Sequence, residues 1–203
     1  MTQPPLSDQL ETLVSPIDEK EFVPLDILES VISKENVKNE LGITDNHWKN
    51  LLGLRKPSDL PDRVTKQAKR IFAALVNMNR ATAIEGLLDE GLGDKHLPLS
   101  SHPEHEGQLS CDGVTIFPFG NWPRALVKDF LRHKQWFFLA PILDTRGQLI
   151  KINQDCPLPF TKSSVMGRGG AGIVHWGKVH QAHQQGIEVG VITCGINLPE
   201  SKF

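Results

Sequence analysis

Apolar residues recur at helical spacing through the first half of the chain. Between Pro24 and Ile32 they stand three and four positions apart, which predicts a helix. A second short helix is predicted over residues 36–41, where Gly42 ends it. A third is predicted after Thr44 or Asp45, with an apolar face made of Trp48, Leu51 and Leu52.

The longest apolar stripe covers residues 62–78 and predicts one continuous helix. Its members are Val64, Ala68, Ile71, Leu75 and Met78. Residues 83–88 continue in helical style until glycines stop them. We therefore expect a helical domain over residues 23–94. The polar, proline-bearing residues 1–22 lack such a pattern and are expected to form a loosely ordered leader.

Strand-like patterns replace the helical ones in the second half. Residues 113–119 predict a strand, and Asn121 is expected to cap the helix that follows. The continuous apolar run 136–143 predicts a buried extended segment. Residues 95–159 are thus expected to be a mixed α/β connecting segment with a polar loop. The whole chain is expected to be an α+β fold, predominantly helical at first and followed by short strands.

Length and composition are those of a globular protein, with 203 residues, 39% hydrophobic and 23% charged. The net charge of −2 creates no overall attraction to nucleic acid or to a membrane surface. No signal-peptide pattern and no apolar run of transmembrane length is present. Cys111, Cys156 and Cys194 are too dispersed for a disulfide framework or a CxxC metal site. We expect an intracellular, cytoplasmic protein with no membrane partner.

Charge is unevenly distributed along the first half. Acidic residues predominate in residues 1–42 and basic residues in 49–80. A basic face made of Arg63, Lys66, Lys69 and Arg70 has the charge to contact nucleic-acid phosphates. Such a face is more often solvated, and the acidic N-terminal segment offers it a partner within the chain. We therefore expect no nucleic-acid partner.

Histidines form two loose groups in the second half. One consists of His96, His102 and His105, and the other of His175, His180 and His183. Neither group has cysteines nearby or a carboxylate at a familiar ligand spacing on a predicted helix. No metal site is expected.

A glycine-rich stretch over residues 165–174 reads Val-Met-Gly-Arg-Gly-Gly-Ala-Gly-Ile-Val and fits G-x-G-x-x-G-x-V. Glycines at this spacing let the backbone approach a polyphosphate, because no Cβ stands between the amides and the oxygens. A strand is predicted before the loop over residues 160–166, and another after it over 173–179. A strand, a glycine turn and a second strand form the loop that covers ATP in protein kinases.

Other interpretations of the loop remain. A dinucleotide-binding loop needs a helix after its third glycine and an acidic residue about 20 positions further on, and neither is predicted here. A Walker loop needs Lys and Ser or Thr after its second glycine, but Ile173 and Val174 follow Gly172. A glycine-rich hairpin turn without a ligand is the simplest alternative, and the loop alone leaves it open.

Short motifs precede the glycine loop in a fixed order. They are Trp122, Gln135-Trp136 with Leu139-Ala140-Pro141, and Pro157-Leu158-Pro159-Phe160. With the loop, and with residues 22–28 and 84–94 upstream, they make roughly residues 22–188 similar to a fungal protein-kinase family. The resemblance implies a Ser/Thr protein kinase that uses ATP and Mg²⁺, with a helical N-terminal region. Residues 160–188 would then be the glycine-rich hairpin of the kinase N-lobe.

The resemblance assigns roles to the loop residues. Gly167, Gly169 and Gly172 would cradle the phosphates, and Val174 would pack on the adenine. Met166 would lie near the adenine or the ribose. The remaining loop positions are Arg168, Gly170 and Ala171. Ala171 departs from the family, in which an aromatic residue often stands at the tip of the loop.

Catalytic parts of a kinase are absent from the sequence. Lys178 comes too early to be the lysine of the third strand, and Lys202 lies in an unrelated context. No H-R-D or D-F-G occurs, so no catalytic or metal-binding residue is assigned. Residues 189–203 form an atypical tail, and we expect the reading frame to leave the family's sequence near Glu188, through a retained intron or a truncated gene. The hairpin would then have an unpaired edge and would have to dock on the helical half or remain mobile.

The sequence therefore predicts a truncated protein-kinase-like protein. Its glycine loop would bind ATP weakly, with Mg²⁺ present only as the ATP complex, and the chain would not catalyse phosphoryl transfer by itself. The alternative is an interaction module, in which the N-terminal helices bind a protein partner and the glycine hairpin is a relic.

Overall fold

The computed structural model describes residues 4–43, 59–104, 108–113, 117–119, 122–144, 152–169, 172–186 and 192–196. Helices and short strands are mixed within these ranges, so the fold is α+β, as the sequence predicts. The α-helices described are α1 Leu6–Gln9, α2 Leu25–Val31, α3 Lys34–Glu40, α4 Leu60–Gln67, α5 Lys69–Asn77, α6 Ile84–Asp89 and α7 Arg124–Asp129. Shorter helical turns are Ala81–Ala83, Asp94–His96, Phe130–Lys134, Trp136–Phe138 and Gln181–His183.

The strands of the described residues pair into four small sheets. They are β1 Leu13–Val14, β2 Glu21–Phe22, β3 Ser100–Ser101, β4 Gln108–Ser110, β5 Phe117–Pro118, β6 Leu143–Asp144, β7 Phe160–Gly169, β8 Gly172–Val179, β9 Gln184–Gln185 and β10 Ile192–Ile196. Antiparallel pairs are β1–β2, β3–β4–β5 and β7–β8–β10, whereas β6 and β9 pair in parallel. The largest sheet is therefore built around β7 and β8.

Local sequence signals position most of the helices in the first half. Helix α2 follows Pro24, and Ser33 caps α3 by accepting a hydrogen bond from the Asn36 amide at 3.2 Å. Gly42 and Gly91 have φ of 65° and 84°, the left-handed conformation that ends a helix at little cost for glycine. The predicted helices at 36–41 and 83–88 are confirmed with small shifts in their bounds. The predicted third helix after Thr44 or Asp45 lies outside the described residues.

The prediction of one continuous helix over residues 62–78 is wrong. The chain forms α4 and α5, which Ala68 separates with φ −147° and ψ 33°. The carboxylate of Asp94 accepts hydrogen bonds from the amides of Arg70 and Ile71 at 3.0 and 3.1 Å and so caps α5. Because this cap comes from a distant part of the chain, the apolar periodicity continues across the break and does not reveal it.

The prediction of an extended segment over residues 136–143 is also wrong at its start. Trp136–Phe138 is a helical turn, and only Leu143–Asp144 is a strand. Two side chains hold this turn, since Nε2 of Gln135 and Nε1 of Trp136 donate to the Leu131 carbonyl at 2.9 and 2.8 Å. Asn121 and residues 114–116 of the predicted strand at 113–119 lie outside the described residues, and within that range the structure has β5 Phe117–Pro118.

The N-terminal segment is packed rather than loosely ordered. Residues 4–22 form α1, β1 and β2, and Leu6, Leu10 and Phe22 are buried. Leu6 and Leu10 belong to the main hydrophobic core, which continues through the helices to Leu109, Phe119, Val127, Phe130 and Phe138. The predicted helical region and the segment that follows it thus share one core.

A second, smaller apolar cluster lies beneath the largest sheet. It consists of Ile17, Phe160 and Val179, with Leu143 and Leu158 packed against it. Ile17 comes from the N-terminal segment, and Phe160 and Val179 from the hairpin, so this cluster attaches the hairpin to the start of the chain.

Candidate functional site

The glycine-rich segment is a β-hairpin in the structure. Strands β7 and β8 pair from Phe160 opposite Val179 to Gly169 opposite Gly172. The turn residues Gly170 and Ala171 lie outside the described part of the chain. A strand follows Gly172, so the helix that a dinucleotide-binding loop requires is not formed there.

A β-bulge shapes the hairpin next to the glycine turn. Val165 pairs with His175 and Gly167 with Val174, so Met166 is the extra residue of β7. In a bulge two residues oppose one on the partner strand, which places Met166 and Gly167 together opposite Val174. The side chains of Met166 and Val174 are 65% and 39% exposed. An exposed apolar pair therefore stands beside the turn.

Gly167 has open space where a side chain would project. A Cβ added there would meet nothing within 4 Å, and its φ lies outside the left-handed region. By contrast, a Cβ on Gly177 would lie 2.5 Å from Cδ1 of Phe160. Glycine is thus required for packing at position 177, whereas the fold leaves the surface above Gly167 accessible.

Side chains of β8 alternate between two faces of the sheet. Gly177 and Val179 belong to the face that covers the smaller apolar cluster. The opposite face carries Val174, Trp176 and Lys178, and together with Met166 and Lys162 we call it the open face.

Lys178 is distant from the glycine turn. It pairs with Lys162 near the base of the hairpin, and it lies six positions beyond Gly172 in β8, a distance of about 20 Å. Neither lysine forms an ion pair with a carboxylate of the described residues. Lys178 is therefore badly placed to hold a phosphate at the turn, in line with the expectation that it comes too early.

A third strand pairs along β8, so the expectation of an unpaired edge on the hairpin is wrong for that side of it. Ile192 lies opposite Gly177 and Ile196 opposite Ile173, so β10 pairs along β8. The strand order is β10–β8–β7. The five residues of β10 include no lysine.

Contacts with the N-terminal segment hold the hairpin in place. The hydroxyl of Ser163 donates to the Pro16 carbonyl at 3.2 Å, and the Leu158 amide donates to the Asp18 carboxylate at 3.1 Å. Sequence patterns did not indicate these contacts, because they join segments that are far apart in the chain.

His183 links the segment after the hairpin to the helical region. Its Nε2 accepts a hydrogen bond from the Leu25 amide at 3.1 Å, so Nδ1 carries the proton and donates to the Pro141 carbonyl at 3.0 Å. The ring is buried and lies edge-on to Phe22, with the ring centroids 5.6 Å apart. Burial lowers the pKa of His183 below its ordinary value. The neutral imidazole is therefore the form that fits this position.

Three other histidines serve local turns, whereas His175 lies in β8 and its buried Nδ1 has no hydrogen-bond partner among the described residues. Nδ1 atoms of His96, His102 and His180 accept hydrogen bonds from the amides of Gly93, Glu104 and Ala182. His105 lies outside the described residues. Across the ranges that the structure describes, no group of three or more His, Cys, Asp or Glu side chains could hold a metal ion.

Cys156 is not arranged as a nucleophile. Its thiol donates to the Leu139 carbonyl at 3.0 Å, and burial raises the pKa of the thiol to about 11. A reactive cysteine needs the opposite, a thiolate stabilised near neutral pH.

The basic face of the predicted long helix is partly neutralised within the chain. Arg63 pairs with Asp89 at 2.8 Å, and Lys69 pairs with Glu29. Glu29 belongs to the acidic N-terminal segment, which was the expected source of partners. Exposed pairs of this kind contribute little to stability, but they reduce the charge available to an external polyanion.

No helix in the described ranges is long and apolar enough to cross a membrane. Comparison of the chain with protein-family models, with curated proteins and with solved structures gives no match.

Proposed function

We propose that the glycine-rich hairpin binds an adenine nucleotide on its open face without catalysing phosphoryl transfer. Met166 and Val174 contact the adenine, and the backbone at Gly167, Gly169 and Gly172 approaches the phosphates. The proposed site also includes Arg168, Gly170 and Ala171, and the last two lie outside the described residues. Mg²⁺ enters only as the ATP complex.

The exposed apolar pair beside the turn carries this proposal. Met166 and Val174 stand next to Gly167, where the backbone is not shielded by a side chain. Apolar side chains displayed beside accessible backbone amides suit a ligand with a flat base at one end and phosphates at the other.

The charge of the segment supports a polyanionic ligand. Residues 157–187 contain no Asp or Glu and include Lys162, Arg168 and Lys178. The whole chain has a net charge of −2, so this segment is a basic part of a slightly acidic protein. A basic surface raises the local concentration of polyphosphates.

We propose binding without catalysis because the sequence lacks the residues that phosphoryl transfer requires. The third strand of the sheet, β10, offers no lysine for the α- and β-phosphates. Without that lysine, an aspartate base and metal ligands, phosphoryl transfer loses both positioning and charge stabilisation. The proposal of a protein-kinase-like protein rests on the resemblance described above. Sequencing transcripts across the codons after His180 tests it.

Thermal unfolding with millimolar Mg-ATP tests the binding. A ligand at about five times its Kd stabilises the folded state by about 1 kcal/mol, which raises Tm by about 2–4 °C for a chain of this size. We expect that shift in the natural sequence and its loss in Gly167→Ala, whose added Cβ obstructs the phosphates. The Tm of Gly167→Ala without ligand should stay unchanged, because nothing lies within 4 Å of the new atom.

Gly86→Ala is a matched control for the glycine substitution. Gly86 lies in α6, and its added Cβ also meets nothing within 4 Å. This variant should keep the full ATP shift. If Mg-ATP does not change the Tm of the natural sequence, the nucleotide proposal fails. The interaction module built on the helices of residues 23–94 is then the function to pursue.

A further inference from the structure

A small pocket lies away from the open face, where four segments of the chain meet. Residues 20–21, 132–133, 136–137, 155 and 157 line it, and its volume is about 240 Å³. Pockets for drug-sized ligands range from about 300 to 1,000 Å³, so this one suits a smaller molecule. Two of its segments belong to the tryptophan and proline motifs of the sequence, which the nucleotide proposal does not use.

A π-helical turn forms one wall of the pocket. The turn spans Phe130–Lys134, and the Gln135 amide donates to the Phe130 carbonyl at 3.1 Å. The wider turn leaves the Leu131 carbonyl to side chains, and Gln135 and Trp136 both donate to it. Such turns are rare and frequently occur at functional sites. Here the turn brings the successive residues Arg132 and His133 to the pocket.

Charged groups of both signs are available in the pocket. Arg132, Glu21 and Asp155 have no side-chain hydrogen bond or ion pair with another residue in the described part of the chain. Basic residues elsewhere, such as Lys34 and Arg63, do pair with carboxylates. The pocket therefore offers a guanidinium for an anion and carboxylates for a cation.

The remaining wall of the pocket is aromatic. Trp136 is largely buried, and its indole N–H is already used by the Leu131 carbonyl. Only the carbon atoms of its ring are left for a ligand. Phe137 lies beside it, and Nζ of Lys134 stands 5.5 Å from the centre of the Phe137 ring. An apolar, planar group is the natural neighbour for this wall.

We infer that this pocket binds a small zwitterion with an aromatic side chain, that is, an aromatic amino acid. The carboxylate meets the guanidinium of Arg132, with His133 beside it. The ammonium group meets the carboxylates of Glu21 and Asp155, and the ring packs against Trp136 and Phe137. This arrangement uses Arg132, Glu21 and Asp155, while Lys20, the other charged residue of the lining, donates to the Gln154 carbonyl. The pocket volume of about 240 Å³ suits a ligand of this size.

Three probes that share a phenyl ring separate the contribution of the carboxylate from that of the ammonium group. L-Phenylalanine carries both charges, phenylacetate only the carboxylate, and 2-phenylethylamine only the ammonium. Each is titrated into the full chain and followed by the NMR signals of the Trp136 indole and the Arg132 amide. We expect L-phenylalanine to bind at millimolar Kd and each single-charge probe to bind about tenfold more weakly, the effect of losing one charged hydrogen bond.

Substitutions in the pocket test which charged side chains contact the ligand. Arg132→Gln and Asp155→Asn should each weaken L-phenylalanine binding about tenfold. Lys128 is an exposed cation on α7 outside the pocket, so Lys128→Gln should leave the affinity for L-phenylalanine unchanged. The inference is overturned if L-phenylalanine shifts neither signal, or if phenylacetate binds as tightly as L-phenylalanine. It is also overturned if Arg132→Gln binds like the natural sequence.

Discussion

Two glycines of the hairpin serve different purposes at the scale of single residues. The place of a Cβ on Gly177 is taken by the ring of Phe160, which is only 1% exposed. The corresponding place at Gly167 is open, and its backbone is not left-handed. Packing therefore explains the first glycine. Packing does not explain the second, for which we propose contact with a nucleotide.

Gly177→Ala is predicted to destabilise the fold by about 1–3 kcal/mol, the usual cost of overpacking. The new Cβ would lie 2.5 Å from Cδ1 and 2.6 Å from Cε1 of Phe160, and 3.4 Å from Ile17. The buried ring would have to shift against its neighbours to make room for the new atom. The free energy of unfolding in urea measures the effect. Gly167→Ala is the matched control and should stay within about 0.5 kcal/mol of the natural sequence. Equal stability of the two variants would contradict the packing role of Gly177.

The break between α4 and α5 shows how an element is ended by a distant residue. Gly93 and Asp94 pack into the break, and a Cβ on Gly93 would lie 2.8 Å from the Gln67 carbonyl oxygen. Burial raises the pKa of the Asp94 carboxyl, although the amides of Arg70 and Ile71 act in the opposite direction. The cap thus binds two helix amides at the cost of a desolvated carboxyl group.

Asp94→Ala is predicted to lower the free energy of unfolding by about 1–2 kcal/mol, the usual cost of losing a helix cap. Two amides at the start of α5 lose their acceptor. Asp94→Asn keeps one carbonyl oxygen as an acceptor, so its free energy of unfolding should fall less than that of Asp94→Ala. Chemical denaturation of the three proteins at neutral pH measures the difference. If Asp94→Ala is as stable as the natural sequence, the cap does not contribute.

His183 connects parts of the whole molecule that are distant in the sequence. It follows the hairpin, accepts from the start of α2 and donates to Pro141. Around it lie Phe22 and His180, with Arg70 and Asp26 as the nearby charges that affect its pKa. Protonation would place a second N–H against the Leu25 amide, which is itself a donor. The junction therefore depends on the neutral ring.

Stability is predicted to fall with acidification because of this histidine. The pKa of His183 is lowered by folding from an ordinary value of 6.5, so the unfolded chain takes up the proton first as pH falls. The stabilisation is complete above about pH 6.5 and is lost progressively as pH drops through the lower folded pKa. The free energy of unfolding, measured from pH 7.5 to 5, reports the loss.

His183→Gln isolates this contribution from that of the other histidines. The variant cannot titrate at this position, and its amide oxygen can still accept from Leu25. The stability difference between the natural sequence and His183→Gln should therefore be larger at pH 7.5 than at pH 5. A difference that does not change with pH would rule out His183 as the cause.

Helices α2, α3 and α6 and the hairpin strands were predictable from sequence, whereas the junctions were not. Apolar spacing, Ser33 and the terminal glycines act within a few residues of where they are read. The break at Ala68, the turn at Trp136–Phe138 and the packing of residues 4–22 depend on partners far along the chain. The same contrast holds for the candidate sites. The glycine motif was visible in the sequence, but the bulge at Met166 and the pocket beside Arg132 were not.

The sequence by itself determined the α+β class, the glycine hairpin and the absence of a kinase's catalytic motifs. These are local properties of spacing and residue type. Only the tertiary structure decided which face of the hairpin is open, that β10 pairs with β8, and that Asp94 and His183 join distant segments. The physical reason is that register, burial and long-range hydrogen bonds depend on which segments meet in space, and a one-dimensional pattern does not encode that meeting directly.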